Sequence, residues 1–323
     1  MKILVVGYGS IGKRHVNNIL LMKKHPVVVL TKQKIDHLKN KNCIITDSVD
    51  FAMEQKPKAA IICTPTNQHI PIATKLSKSG IDLFIEKPLS NNFAGVKNLI
   101  KTAENKRLVT HVGCVLRFHP GIIMIKKMLK RKKIGKILDV EIENLSFLPD
   151  WHPNEDYTKS YAANSRLGGG VVLTCIHEMD YVYWLFGSPT KISADIKKIS
   201  NLKIQAEDFA KIILFYKNLF TVQISLSYFQ KAKSRKLKIV GTEGILELDI
   251  IKNTIRYFSN RKNKWVKIKV ENADINNAYT SEIKYFLKCV AKRKQSMNNL
   301  KQNYQILKMA LDAKKSSQMK LIG

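Results

Sequence analysis

The sequence predicts an α/β protein of two domains. A doubly wound parallel sheet is expected over residues 1–120, and an α/β domain with a large, mostly antiparallel open sheet over residues 121–323. A continuous apolar run at residues 2–7 enters a glycine turn and then a helical stretch. Short apolar runs and helical stretches go on alternating to about residue 120, the βαβ pattern of a parallel sheet. Beyond Pro189 strands dominate, one of them with a clear apolar and a clear polar face, as in an antiparallel sheet wetted on one side.

The first strand runs into Gly7-Tyr8-Gly9-Ser10-Ile11-Gly12. In a strand, turn and helix of this kind the glycines permit a tight turn, close approach of backbone to a pyrophosphate, and close helix-strand packing. The helix amino terminus then faces the phosphates, so a dinucleotide is expected here. The second strand is residues 27–30, and at its end an NAD-selective protein carries an acid for the ribose hydroxyls. This chain has Thr31-Lys32-Gln33-Lys34, and its first carboxylate, Asp36, comes too late. A hydroxyl and amines suit a 2′-phosphate, so NADP is favoured over NAD, with Thr31 and Lys32 as contacts.

A third strand, residues 59–63, ends in Thr64-Pro65-Thr66-Asn67-Gln68-His69, and a helix follows over about 70–79. Next comes Asp82-Leu83-Phe84-Ile85-Glu86-Lys87-Pro88, an apolar run ending abruptly in a carboxylate, an amine and a proline. A run of this length suits a buried parallel strand, which places Glu86 and Lys87 at the rim where open α/β sheets bind ligands. The proline denies Lys87 a helical backbone, and the bond before it can be cis. The lysine is then expected to aim into a cleft; the alternative is an ordinary surface Glu-Lys pair before a loop proline. A helix over 91–106, a strand over 108–116 and the exit Arg117-Phe118-His119-Pro120 complete this half.

A helix over 122–133 and a strand over 137–145 then lead to a loop, residues 147–167, long enough to be functional. Its Trp151, His152, Tyr157 and Tyr161 either wall a sugar or base ring or pack the loop down. Gly168-Gly169-Gly170 lets the backbone pass close to something, and one helix is expected over 171–186. On it Thr174, His177, Asp180, Tyr181 and Trp184 share a face by their spacing. An imidazole, with an ordinary pKa of ~6.5, suits proton exchange near neutrality. Strands follow at 208–216, 220–228, 236–240, 245–250, 254–258 and 264–270, then helices at about 278–292 and 300–316.

At 323 residues and 45% hydrophobic content the chain can bury two cores. Its formal charge of +31 raises the question of nucleic acid, but the lysines are spread along the whole chain without a recognition helix or an aromatic-plus-basic motif. A positive field that draws in a phosphorylated cofactor or an anionic substrate is the expected use. No apolar run approaches the ~18–20 residues that cross a bilayer, and the apolar start is too short for a signal peptide, so a cytoplasmic protein without membrane contact is expected. Five scattered cysteines indicate neither a disulfide framework nor a zinc site, and no metal is expected.

Several of these residues resemble the Gfo/Idh/MocA family of nicotinamide-dependent oxidoreductases. The glycine turn with His15, Thr64-Pro65-Thr66-Asn67 with His69, and Glu86-Lys87-Pro88 stand in the family's order. So do Arg117-Phe118-His119-Pro120, Gly168-Gly169-Gly170 with His177 and Asp180, and Gly241-Thr242-Glu243-Gly244. Leu148-Pro149-Asp150-Trp151-His152-Pro153, with Tyr157 and Tyr161, is similar to the branch found in surface-polysaccharide and nucleotide-sugar metabolism. The resemblance implies an amino-terminal Rossmann domain and a carboxy-terminal domain whose open sheet mediates a homodimer or homotetramer. It implies hydride transfer between nicotinamide and a hydroxyl or keto carbon of a sugar, nucleotide sugar or cyclitol. Lys87 would hydrogen-bond the reacting oxygen and His177 would exchange its proton. Cofactor contacts are expected from Gly7, Tyr8, Gly9, Ser10, Ile11, Gly12, Thr31, Lys32, Thr64, Pro65, Thr66, His69, Glu86, Lys87 and Arg117. Substrate contacts are expected from Lys87, Arg117, Trp151, Tyr157, Tyr161, Thr174, His177 and Asp180. Many members carry an aspartate where this chain has Thr174, so Asp180, Tyr181 or a loop tyrosine would orient His177 instead. Two further classes stay open: an enzyme that recycles its cofactor within each turnover, as in epimerisation or redox-assisted glycoside cleavage, and a cofactor-binding sensor or partner protein without turnover.

Overall fold

The computed structural model describes residues 1–35, 38, 42–217 and 219–319. Asp36, the first carboxylate after the second strand, lies outside the described residues. In chain order the elements are β1 (Ile3–Val6), α1 (Ser10–Leu21), β2 (Val27–Leu30), β3 (Cys43–Thr46), α2 (Val49–Glu54), β4 (Ala59–Ile62), α3 (His69–Lys78), β5 (Asp82–Glu86), α4 (Val96–Asn105) and β6 (Thr110–Gly113). Then come α5 (Pro120–Lys130), β7 (Ile137–Phe147), α6 (Val171–Thr174), α7 (His177–Phe186), β8 (Lys191–Lys197), β9 (Phe209–Phe215), β10 (Thr221–Ser227), β11 (Phe229–Gly241), β12 (Gly244–Asp249), β13 (Thr254–Ser259), β14 (Lys264–Lys269), α8 (Ile275–Ala291) and α9 (Leu300–Met319). Among the described residues no helix is long and apolar enough to cross a membrane.

The chain forms two compact units, Met1–Cys114 with Tyr279–Leu307, and Val115–Ala278 with Lys308–Gly323. A single cut at residue 120 leaves 279–307 out of the first unit. The reason is physical: Ile283, Phe286, Leu287, Cys289 and Val290 of α8 share one buried core with Ile3, Val5, Val16, Val27 and Phe84. Phe286 meets Phe84 edge to face at 5.5 Å.

In the first unit six strands pair in the order β3-β2-β1-β4-β5-β6, every pair parallel. Strands β1, β4 and β5 are buried along their whole length, as the inner strands of a sheet covered on both faces must be. The order reverses between β1 and β4, and that switch point is where such sheets open a crevice. The expectation from sequence omitted β3, whose four residues are all only half-buried at the sheet edge. The strand at 59–63 is accordingly the fourth in chain order. Helix α4 begins at Val96 rather than Asn91, because Gly95 stands at φ +73° just before it.

The second unit is organised on eight strands in the order β14-β13-β12-β11-β7-β10-β9-β8. All pairs are antiparallel except β7 with β10. One face is apolar and buried, with Val140, Ile142, Val222, Ile224, Ile212, Leu214, Leu237, Ile239, Leu246 and Ile255. The opposite face carries one cross-strand row of register partners, Ile213, Gln223, Glu141, Lys238, Glu247, Arg256 and Lys267. Ion pairs lie along it, Glu141 with Lys238 at 3.5 Å and Glu247 with Arg256 at 3.4 Å. The strand β8 was not foreseen, and β11 starts seven residues earlier than expected because its lysine-rich beginning has no apolar alternation.

The single helix expected over 171–186 is two, broken at Cys175, which ends α6 at φ −92° and ψ 29°. The β-branched residues Val171, Val172, Thr174 and Ile176 crowd this stretch and weaken its helical continuity. His177 is therefore the first residue of α7 and not a mid-helix side chain.

Phe286→Ala should cost about 3–5 kcal/mol, the range for a fully buried aromatic removed from a core. Chemical denaturation of the full chain measures it.

Candidate active site

At the carboxy-terminal edge of the parallel sheet the ends of β1, β4 and β5 carry the expected cofactor residues. Gly7 has φ +93°, and a Cβ there would lie 3.0 Å from the Cys63 carbonyl oxygen and 3.2 Å from the Thr64 nitrogen. At Gly12 a Cβ would strike the Gly7 carbonyl oxygen. The first and third glycines thus hold β1, α1 and the end of β4 in backbone contact. A Cβ at Gly9 meets nothing within 4 Å, so the middle of the turn is open. Helix α1 has no side-chain cap and no acidic residue in its first turn. Among the described residues no side chain caps its leading N–H groups, and the cradle fits the pyrophosphate of a dinucleotide. Ser10 is exposed, Ile11 half-buried, and Tyr8 buried with the Lys13 ammonium 5.8 Å from its ring centre.

At the end of β2 Thr31 is half-buried and accepts a hydrogen bond from the Gln33 N–H at 3.2 Å, while Lys32 is exposed. No carboxylate occurs among residues 31–35. After β4, Pro65 is exposed and Thr66 buried. His69 is buried with Nε2 2.8 Å from the Thr64 carbonyl and Nδ1 2.9 Å from the Pro88 carbonyl. Burial pushes its pKa down, against the two carbonyls and Glu86, which push it up. The ring braces the two rim loops against each other. The Lys87–Pro88 bond is cis.

Glu86 is buried. Its Oε1 is 2.6 Å from His15 Nε2, and its Oε2 accepts from the Lys87 N–H at 3.2 Å. Gly113 of β6 leaves room for this carboxylate, since a Cβ there would lie 3.0 Å from Glu86 Oε1. Lys87 itself is half-buried.

In the second unit Arg117 and Asp180 are wholly buried and hold each other. The Arg117 Nε donates to both oxygens at 3.1 and 3.0 Å and Nη2 donates to Oδ1 at 2.8 Å. Both were expected to contact ligands, yet neither exposes any surface here. Beside them Lys126 donates to the Trp184 carbonyl at 3.0 Å and stands 3.7 Å from that ring's centre. Burial and then Arg117 push its pKa down to about 8.

His177 is 8% exposed and Thr174 3%. The Thr174 hydroxyl lies against the phenol of Tyr228, a fully buried residue whose pKa burial raises well above the usual value. Trp151 meets Tyr228 edge to face at 5.3 Å and donates to the Ser146 hydroxyl at 3.1 Å. Tyr157 accepts from the Lys203 N–H at 3.3 Å, and Tyr161 is 36% exposed. The loop folds as four short 3₁₀ turns, and the triple glycine is what they close on. The Gly170 N–H donates to Ala162 O at 2.9 Å and the Gly169 N–H to Asn164 O at 3.0 Å. The close approach anticipated at this glycine run is to the chain's own loop. Next to His177, Glu178 is wholly buried and paired with Arg235 at 2.7 Å, and Tyr181 is held against that pair. Of the groups expected to replace the missing aspartate, Asp180 is engaged with Arg117 and Tyr181 faces Glu178 and Arg235. Tyr228 was read from sequence only as part of an apolar strand face.

Two family models match this chain, "Oxidoreductase family, NAD-binding Rossmann fold" over residues 1–114 and "GFO/IDH/MocA C-terminal domain" over residues 122–247. The chain belongs to the Gfo/Idh/MocA oxidoreductases. Among relatives of this family, the myo-inositol 2-dehydrogenase of Thermotoga maritima is 23% identical over 308 residues, 90% of this chain and 88% of that protein. The uncharacterised oxidoreductase YhhX of Escherichia coli is 26% identical over 187 residues, 58% of this chain and 51% of that one. The UDP-N-acetylglucosamine 3-dehydrogenase of Acidithiobacillus ferrooxidans has a similar fold, with TM-score 0.80 and 20% identity over 99% of this chain and 98% of that one. An Agrobacterium radiobacter oxidoreductase solved with NAD+ and L-tartaric acid gives TM-score 0.84 at 16% identity over 98% of this chain and 96% of that one. As a member of this family the protein is an oxidoreductase with an NAD-binding Rossmann domain.

Asp180→Asn leaves the Arg117 guanidinium buried without its countercharge and should cost about 3–5 kcal/mol of stability. The shift of the denaturation midpoint measures it.

Proposed function

We propose that this oxidoreductase transfers hydride between nicotinamide C4 and a hydroxyl or keto carbon of a sugar, nucleotide sugar or cyclitol. The observation that supports this most is Lys87, presented by β5 at the rim of a sheet whose switch point is a side-chain-free cradle for pyrophosphate. When bound, the nicotinamide supplies the hydride acceptor in oxidation and the donor in reduction. Lys87 hydrogen-bonds the reacting oxygen and stabilises the charge that develops there as the C–H bond breaks. His177 takes the hydroxyl proton in oxidation and returns it in reduction. Trp151, Tyr157 and Tyr161 line the substrate, with Thr174 beside them. The relatives named for myo-inositol and UDP-N-acetylglucosamine support a polyhydroxylated ring. The charge of +31 favours an anionic one.

The cofactor is NADP in preference to NAD, on the hydroxyl and ammonium at the end of β2 and the lack of a carboxylate over residues 31–35. The open face of the eight-stranded sheet, with its row of ion pairs and the exposed Ile213 and Trp265, is the surface through which a homodimer or homotetramer forms.

Lys87→Ala should retain cofactor binding and lose two or more orders of magnitude in turnover on a sugar or cyclitol that the parent accepts, on the order of a lost transition-state donor. Near-normal turnover would overturn the role. His177→Asn should remove the pH-dependent limb of the rate at unchanged cofactor affinity; a variant that keeps both rate and profile moves its proton another way. Fluorescence titration with NADPH and NADH at matched ionic strength decides the cofactor, and a clear preference for NADH would reverse that assignment.

A further inference from the structure

The connection between β8 and β9, residues 198–208, is irregular in backbone yet firmly pinned. Asp208 is wholly buried, and its carboxylate accepts from the Ile199 N–H at 2.8 Å, the Ser200 N–H at 3.2 Å and the Ser200 hydroxyl at 2.5 Å. These bonds join the two ends of the connection. Between them Leu202, Ile204 and Ala206 are buried and alternate with exposed Asn201, Lys203 and Gln205, the pattern of an extended segment laid on a surface. The aromatic loop is part of that surface. The Lys203 N–H donates to the Tyr157 hydroxyl at 3.3 Å, the Gln205 N–H to the Ala163 carbonyl at 3.0 Å, and the Glu207 carbonyl accepts from the Val171 N–H at 2.9 Å.

One side chain stands where these ties converge. Gly170 has φ +98°, and a Cβ there would strike the carboxyl carbon and both oxygens of Glu207. The carboxylate therefore lies on the bare Cα of the last glycine of the run. The Gly170 N–H in turn holds Ala162, next to Tyr161. Only 11% of the Glu207 side chain is exposed, and its Oε1 accepts from Lys314 Nζ of α9 at 3.0 Å. Helix α9 is anchored close by. The Ser317 hydroxyl accepts from the Ile196 N–H at 2.8 Å and donates to the Ile196 carbonyl at 3.2 Å, on the edge strand β8. Lys314 is thus delivered by a helix whose own place is fixed. An apolar side chain at 207 could rest on Gly170 but could not accept from Lys314, and a long side chain without that tie regains its rotamer freedom.

We propose that Glu207, held by Lys314, is a positioning residue that braces Gly170 and the loop over 157–170 in the shape that receives substrate. It then sets the affinity for substrate and not that for cofactor. This deepens the reading of Tyr157 and Tyr161 as substrate contacts and rests on it for its functional meaning. The brace itself is measurable without substrate.

The test is hydrogen exchange of the full chain, read by mass spectrometry on peptides covering 157–171, with peptides over 3–30 as the reference in the same sample. Glu207→Ala should speed exchange over 157–171 about tenfold, as expected for a local opening made easier, and leave 3–30 unchanged. Parental exchange over 157–171 overturns the proposal. Lys314→Met should act like Glu207→Ala, and the double variant like either alone, because all three remove one contact. Additive effects would mean that the two residues act separately and would sink the pairing. Lys314→Arg can still donate to the carboxylate and should exchange like the parent; exchange like Lys314→Met would contradict the tie. On a sugar or cyclitol that the parent accepts, Glu207→Ala should raise KM about tenfold at near-parental kcat, the signature of lost uniform binding, with NADPH and NADH affinities unchanged. A fall in kcat alone, or weaker cofactor binding, contradicts the positioning role. Faster exchange at unchanged KM and kcat would leave the brace standing and sink the reading of this loop as a substrate wall. Parental exchange with a raised KM would keep that reading and overturn the brace.

Discussion

The carbonyl of Gly7 lies where a side chain at residue 12 would have to be, and much of the cofactor unit follows from that contact. Without a Cβ at residue 12 the first turn of α1 can settle directly onto the ends of β1 and β4. The axis of α1 is then fixed relative to the strand ends, and one turn further on His15 meets Glu86. Parallel strands all end on one edge, so β4 and β5 deliver Thr64 and Lys87 to the same rim as the glycine turn. Two histidines then brace that rim. His69 joins the Thr64 and Pro88 carbonyls, and His15 holds Glu86. Few of these groups are free to act on a ligand themselves. Their work is to make the positions of the glycine turn and of Lys87 depend on each other.

Where local chemistry determines structure, the sequence was a sufficient guide. The glycine turn, the abrupt end of β5 and the strand at 220–228 depend on patterns that any neighbour must respect, and each lies within a residue or two of its expected place. The misses share a cause, which is that tertiary contact decided them. Strand β3 is half-buried and four residues long, so neither alternation nor an apolar run marks it. The helix at 275–291 looks like a carboxy-terminal element, but Phe286 and Ile283 complete the first core and carry it back there. The break at Cys175 depends on crowding that spacing alone does not register. It changes the meaning of Thr174 and His177, which were expected one turn apart on one helix.

Site residues were legible as types and less so as roles. Arg117 and Asp180 stand where charged side chains near a ligand would be expected, and both turn out to be fully enclosed partners. Nothing in the spacing of residues 117 and 180 announces a pair 63 positions apart. Tyr228 is the converse case. An apolar strand face hides one phenol that lies against Thr174. A threonine there needs a partner of modest polarity, and a tyrosine buried among Trp151 and the loop supplies it without introducing charge.

The two units handle buried charge in different ways, and the difference separates scaffold from chemistry. Arg117 and Asp180 neutralise each other through three hydrogen bonds in full burial. A pair of this kind fixes the turn at 115–118 against α7. Glu86 is not closed in this way. His15 Nε2 lies 2.6 Å from one of its oxygens and the Lys87 N–H donates to the other, while burial pushes the Cys63 thiol and the Tyr279 phenol beside it up and the His69 imidazole down. A fold selected for stability alone would gain from a hydrophobic residue at position 86. A carboxylate there instead ties α1, through His15, to the turn that carries Lys87.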